Sequence, residues 1–181
     1  MGIDFYDAVQ HPQHQHLMNP NQQDIIGILN GLVQINNDRI VGYHQASLET
    51  KDADLEQLFT SRLNESINFS ETLSAYIKDM GGEPALGGTT AGIIHRTWLN
   101  FKAALQQHDR IALLESCEFG DKSAIEAYEK ALNDESIKAD DELKGVLLRQ
   151  QADIESSLKI IQTLTPRTNS TQAEQDALKL R

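Results

Sequence analysis

The chain has a single cysteine in 181 residues, Cys117, which excludes an internal disulfide framework and fits a reducing compartment. It stands beside Glu118 in a helical stretch, where a neighbouring carboxylate discourages a thiolate, so it reads as a buried inert thiol. Basic residues are scarce: 16 Lys and Arg face 27 Asp and Glu, for a formal net charge of -11. With no basic face to meet phosphates, neither nucleic acid nor an anionic membrane surface is an expected partner. No apolar run approaches the roughly 18 residues of a membrane helix, and no basic segment leads into an apolar one at the N-terminus. Met1-Gly2 is followed by Tyr6 where a myristoylation signal needs Ser or Thr. A cytoplasmic location is expected. Nor is there a Gly-x-Ser-x-Gly elbow, a phosphate loop or a dinucleotide fingerprint, so no catalytic residue is assigned. Period-two alternation is missing throughout, which excludes a sheet.

What the chain does contain is apolar residues at helical spacing. Residues 1–20, with prolines at 12 and 20, read as an arm outside the core. The arm carries an apolar run, Ile3, Phe5, Tyr6 and Val9, suited to docking on the bundle or a neighbouring subunit; His11, His14 and His16 lack the carboxylates or thiols of a metal tract. Residues 21–165 are expected to form the bundle. A first helix from about Asn21 to Leu48, with Asn21 or Asp24 as caps, turns Ile25, Ile28, Leu32, Ile35, Arg39, Tyr43 and Ala46 inward. Gly27, Gly31 and Gly42 within it suggest close helix approach. A second, from about Ala53 to Met80, carries Leu55, Leu58, Arg62, Glu65, Phe69, Leu73 and Tyr76 and stops at Gly81-Gly82. The short hinge between them makes an antiparallel hairpin.

A long connection follows, in which Ile94, Trp98, Phe101 and Leu105 share one face of a short helix able to cross from one end of a bundle to the other. Asp109 caps the third long helix, whose stripe is Ile111, Leu114, Glu118, Asp121, Ile125, Tyr128 and Leu132. After a tight connection, NDESIKADD, the last helix (about Asp141 to Leu164) faces Leu143, Val146, Leu147, Gln150, Ile154, Leu158 and Ile161 inward. Residues 166–181 read as a flexible tail. The expected architecture is all-α: a four-helix bundle of two antiparallel hairpins joined by a long crossover containing a short helix.

Each stripe carries polar groups near its midpoint: Asn36 and Arg39, Arg62 and Glu65, Glu118 and Asp121, then Gln150 with Asp153 nearby. Carboxylate-bridged di-metal sites are built at this level of a bundle, from a Glu on two helices and Glu-x-x-His on the other two. No Glu-x-x-His occurs on the four helices; the nearest substitutes are Glu65-x-x-Asn68, Glu115-x-x-Glu118 and Gln150-x-x-Asp153. Arg39 and Arg62 would repel a divalent cation and pair with Glu65, Glu118 and Asp121. The reading favoured is a metal-free polar core network of Asn36, Arg39, Arg62, Glu65, Glu118, Asp121 and Gln150. The alternative is a site for iron or another divalent metal, with Glu65, Glu118, Asp121 and Asp153 as ligands and Tyr43 or Tyr128 as a hydrogen-bond donor.

The segments GGEPALGGTTAGIIHRTWLNFKAAL and LLESCEFGDKSAIEAYEKAL, with ILNGLVQINNDRIVGYHQA and KDADLEQLF, strongly resemble the ferritin-like four-helix-bundle proteins of the DUF2383 family, over roughly residues 22–164. The resemblance implies a ferritin-like fold, a homo-oligomer, and bacterial relatives loosely linked to stress responses without a settled activity. At the family's metal-type positions this chain has Asn36, Glu65, Asn68, Glu118, Gln150 and Asp153, of which Glu65, Glu118 and Asp153 could still ligate. The expected function is a non-catalytic bundle acting through self-association or a partner, with no cofactor. The alternative is a di-iron or related carboxylate oxidase or a metal-storage protein.

Overall fold

The computed structural model describes residues 20–89 and 109–165. The N-terminal arm, the short crossover helix with Trp98, and the C-terminal tail lie outside the described residues. Within them, four long helices and one single-turn helix account for the elements, and no strand is found.

Helix α1 spans Pro20–Glu49. Proline suits a first helical turn, because its fixed φ is helical and its missing N–H would have had no partner there. Asn21 and Asp24, expected as caps, therefore lie inside the helix. Helix α2, Ala53–Asp79, follows after three residues and ends where the sequence indicates. The Gly82 N–H bonds the Ile77 carbonyl and the Gly81 N–H that of Lys78, both at 2.8 Å. Gly81 takes φ +79°, the left-handed turn that this closing pattern needs and that a side chain would oppose.

Helix α3, Arg110–Leu132, is capped by Asp109, whose carboxylate accepts from the Ile111 and Ala112 N–H groups. The connection expected to be a plain turn contains helix α4, Glu135–Lys138, because Asp134 caps it through Ser136 and Ile137 buries completely. Asp140 then caps α5, Asp141–Leu164. Arg110 grips Asp52 at 2.8 Å and Asp54 at 2.7 Å, tying the start of α3 to the start of α2.

Between α2 and the crossover, residues 80–89 run as a strap along α1. Gln22 donates to the Met80 carbonyl; Asn30 donates to Glu83 and accepts from the Ala85 N–H at 2.7 Å. Asn37 donates to Gly87, and Asp38 accepts from both the N–H and hydroxyl of Thr89. A Cβ on Gly88 would collide with the Asp38 carboxylate, which would have to shift from its place beside Thr89.

The core has two apolar clusters. The larger joins Leu29, Leu32, Val33, Leu73, Ile77, Tyr128, Leu143, Leu147 and Ile154; the smaller joins Tyr43, Ala46, Leu55, Phe59, Leu113, Leu114, Cys117 and Ile161. Three inward faces are turned relative to expectation. On α2, Phe59, Ser66 and Ile77 are buried where Leu58, Glu65 and Tyr76 were expected. On α3, Leu113, Cys117, Ala124 and Ala131 replace Ile111, Glu118, Ile125 and Leu132. Small residues occupy the close side of α3, and the larger Ile111 is left 43% exposed. On α5, Ser157 is buried and Val146 and Leu158 are only half-buried.

The helical glycines serve no close approach among the described residues. A Cβ at Gly27, Gly31 or Gly42 would meet nothing within 4 Å. Gly27 and Gly31 floor a groove of about 600 Å³ between α1 and α3, beside Ile28, Leu32, Ala127 and Ala131. Since glycine loses more chain entropy on folding than alanine, Gly27→Ala and Gly31→Ala should each stabilise the protein by about 0.5–1 kcal/mol. A higher urea midpoint at unchanged slope is the expected result; no rise would mean that something packs onto this groove.

Candidate functional site

Residues 36, 39 and 43 of α1 lie one turn apart on its inner face, so Asn36, Arg39 and Tyr43 enter the bundle as a column. There, Arg39 is 4% exposed and Asp121 of α3 is fully buried. The Arg39 Nε donates to Asp121 Oδ1 at 3.0 Å, and its Nη2 donates to Glu65 Oε1 at 3.2 Å. Arg62, one turn before Glu65 on α2, holds the other Glu65 oxygen at 2.6 Å. Tyr43 donates to Asp121 Oδ2 at 2.9 Å, so both carboxylate oxygens are occupied. The four charged groups, Arg39, Arg62, Glu65 and Asp121, sum to zero. They form a line from the centre of the bundle to its edge, where the Arg62 and Glu65 side chains are 18% and 16% exposed.

Burial sets the electrostatics. It pushes the Asp121 carboxyl above its ordinary range, while Arg39 and the Tyr43 hydroxyl pull it back. Glu65 is raised for the same reason, against the pull of Arg39 and Arg62. Burial also works against the Arg39 charge, but Asp121, Tyr43 and Glu65 outweigh it and hold the guanidinium firmly protonated. The carboxylates thus depend on Arg39 for their ionised form. Burial, followed by the nearby Asp121 charge, likewise raises the Cys117 thiol and the Tyr43 phenol, so neither is a nucleophile or base at neutral pH.

A neutral chain adjoins this ionic line. The Asn36 amide donates to the Tyr128 hydroxyl at 2.8 Å and to the Leu32 carbonyl at 2.9 Å; Tyr128 donates to Gln150 Oε1 at 2.7 Å. Asn36 Oδ1 lies 3.5 Å from Arg39 Nη1, a long contact linking the two parts. Tyr128→Phe keeps the ring but leaves the buried Asn36 and Gln150 groups short of a partner, and should cost about 1–3 kcal/mol in chemical denaturation. A change within a few tenths of a kcal/mol would show that this chain contributes nothing to stability.

Of the residues expected in the layer, Asn36, Arg39, Arg62, Glu65, Asp121 and Gln150 come together. Glu118 does not: it sits beyond the ionic line, accepting from Gln162 at 3.0 Å and pairing with Lys122 at 2.7 Å. Asp153 is exposed, as is Asn68. Tyr43 and Tyr128, considered only as donors near a metal, instead bind the polar side chains directly. Ser157 was missed; it is fully buried on α5. A serine between Ile154 and Ile161 carries no charge to mark it in the sequence.

These residues do not fit a carboxylate-bridged metal centre. The two carboxylates that converge, Glu65 and Asp121, converge on a guanidinium, and among the described residues no three His, Cys, Asp or Glu side chains are grouped to hold an ion. The proposed ligand set of Glu65, Glu118, Asp121 and Asp153 is dispersed, because Glu118 and Asp153 each lie about one residue's rotation off the inward face.

Residues 24–134 match the family model described as "Domain of unknown function (DUF2383)". No curated protein matches the chain. Among solved structures it is similar to the "Crystal structure of ferritin like, diiron-carboxylate proteins from Bacillus anthracis str. Ames", with a TM-score of 0.65 and 19% identity over 82% of this chain and 100% of that one. At this identity the likeness shows the fold: an all-helical, ferritin-like bundle.

Proposed function

This chain belongs to the DUF2383 family, and on that basis we propose that it is a non-catalytic ferritin-like bundle acting through association with itself or with a protein partner. The observation that carries this reading is the Arg39 guanidinium lying between Glu65 and Asp121, where it neutralises the groups that chemistry would need. With the guanidinium held between them, the two converging carboxylates have no coordination position to offer. Function then falls to the surface. The apolar arm residues Ile3, Phe5, Tyr6 and Val9, and the exposed Val41 and Leu48 of α1, support association rather than turnover. The family resemblance adds a stress-related setting to this reading.

Size-exclusion chromatography with light scattering tests it, on the full chain and on one lacking residues 1–20. A mass that is a multiple of 20.2 kDa, reduced on removal of the arm, is the expected result. Monomers in both cases would overturn self-association. Likeness to the Bacillus anthracis protein, described as diiron-carboxylate, supports a second reading of this chain as a di-iron or related carboxylate protein. Anaerobic ferrous titration separates the two: retention after desalting of less than about a tenth of an equivalent per chain rejects the second, because a built site holds its metal.

A further inference from the structure

A protrusion and a recess lie side by side on the outer side of α1. The protrusion is Leu86, which is fully exposed in the strap. Single exposed leucines are ordinary on protein surfaces, but this one is held in place. The backbone before it is pinned by Asn30 at Glu83 and Ala85, and the backbone after it by Asn37 at Gly87 and Asp38 at Thr89. The recess is the groove of about 600 Å³ between α1 and α3, lined by small residues of both helices, Gly27, Gly31, Ala127 and Ala131, with Ile28 and Leu32 beside them. Asn30, which holds the strap, immediately precedes Gly31, so both features belong to the same half of α1. We infer that this face is a two-fold contact between copies of the chain, in which Leu86 of each copy enters the groove of the other. The inference rests on the reading above, that the bundle associates with itself, and supplies the surface that does so.

Shape and charge both select a second copy. A patch that carries a projection and a recess together is complementary to itself, which is what a closed two-fold contact requires. At a net charge of -11, two copies repel each other unless they meet on a neutral surface. From Ile25 to Leu48, α1 carries only two residues of the Asp, Glu, Lys and Arg set, Asp38 and Arg39. Both are engaged, Asp38 by Thr89 and Arg39 by the polar layer. This stretch can therefore meet its own copy without setting like charges opposite each other, and the groove's rim adds both signs, Asp24 and Asp134 with Lys130. A stable dimer buries on the order of 800 Å² per subunit, more than one leucine supplies. The uncharged side of α1 and the arm, which joins α1 just before Gln23 and Asp24 of the groove, complete the contact. A methyl on Gly27 or Gly31 takes little of the groove, so the alanine substitutions above are compatible with it; a leucine there is not.

Light scattering over a dilution series of the full chain tests this. Leu86→Asp and Gly31→Leu should each raise the Kd of association about tenfold or more, with helical circular dichroism unchanged. Ala127→Leu fills the same groove from α3 and should act like Gly31→Leu, which keeps the test available if the latter fails to fold. Leu148→Asp, at an exposed leucine of α5, should leave association as it is. Mixing Leu86→Asp with Gly31→Leu should recover part of the association, because a mixed pair keeps one intact contact of the two. A native oligomer that neither the Leu86 nor the groove variants weaken, or that only one kind weakens, overturns the inference and leaves self-association standing. Equal weakening by Leu148→Asp, or a mixture no better than its components, overturns it in the same way. A native chain that stays monomeric overturns both the inference and the reading it rests on.

Discussion

Arg39→Leu is expected to destabilise the protein by about 3–5 kcal/mol at neutral pH, the cost of leaving buried carboxylates without their counter-charge. Leucine fills much of the space and Glu65 keeps Arg62 as a partner, so the loss reports chiefly the stranded Asp121. Its pH dependence identifies it. Without Arg39, the Tyr43 hydroxyl at Asp121 and Arg62 at Glu65 are left to oppose the burial that pushes the two carboxyls up, and their folded-state pKa values rise further above the unfolded ones. The folded variant then binds protons more readily than its unfolded chain. Its stability must therefore fall as pH rises through the folded values, and recover fully only as pH drops below about 4, where the carboxyls become neutral in the unfolded state as well. Urea denaturation of both proteins at pH 5 and 8 should show a smaller gap at the lower value, on the order of a kcal/mol per unit of additional shift. A gap independent of pH would mean that Arg39 contributes packing rather than charge. Combining Arg39→Leu with Asp121→Leu should restore most of the loss, since Arg62 and Glu65 then pair with each other and the layer is again neutral.

Phe59→Ala is expected to cost about 3–5 kcal/mol, through lost burial and the cavity left behind. Phe59 is fully buried in the smaller cluster, and its ring centroid lies 6.0 Å from that of Tyr43. The effect should therefore reach the polar layer. Tyr43 presents its hydroxyl to Asp121 and its ring face to Arg39, 5.6 Å from the guanidinium carbon. With Phe59 gone, the ring that orients this hydroxyl has lost a wall. A double-mutant cycle with Tyr43→Phe should give a coupling of about 0.5 kcal/mol or more, because residues in contact do not contribute additively. Strict additivity would show that Phe59 supports only its own cluster.

Much of this architecture is written locally. Asp109, Asp140 and Gly81 mark helix ends through their own chemistry, and the apolar spacing of α1 and α5 is dense enough to identify most of the buried residues. Arg39 and Asp121 were legible for the opposite reason, as charges inside apolar stripes. The facing of α3 was not. Ile111, Ile125 and Leu132 define a plausible seam by size, while the fold uses the neighbouring face, where Cys117, Ala124 and Ala131 allow closer packing. That rotation separates Glu118 from Asp121, which the sequence alone had made equivalent. The contact of Tyr128 with Gln150 and Asn36 depends on three helices at one level, and neutral groups leave no mark of it. The strap was invisible too, since Asn30, Asn37 and Asp38 read as ordinary solvent-facing residues until a loop lies beside them.

The division of the core into two apolar clusters has a consequence for alignment along the bundle axis. Every long helix passes through both clusters, and leucine, isoleucine and alanine accept many neighbours of similar size. Sliding one helix by a turn, about 5.4 Å, would still set oil against oil above and below. It would not set Asp121 against Arg39. The layer between the clusters thus works as a key with a single cut: it is what makes a one-turn slip of α3 past α1 a different molecule, rather than a slightly worse version of the same one.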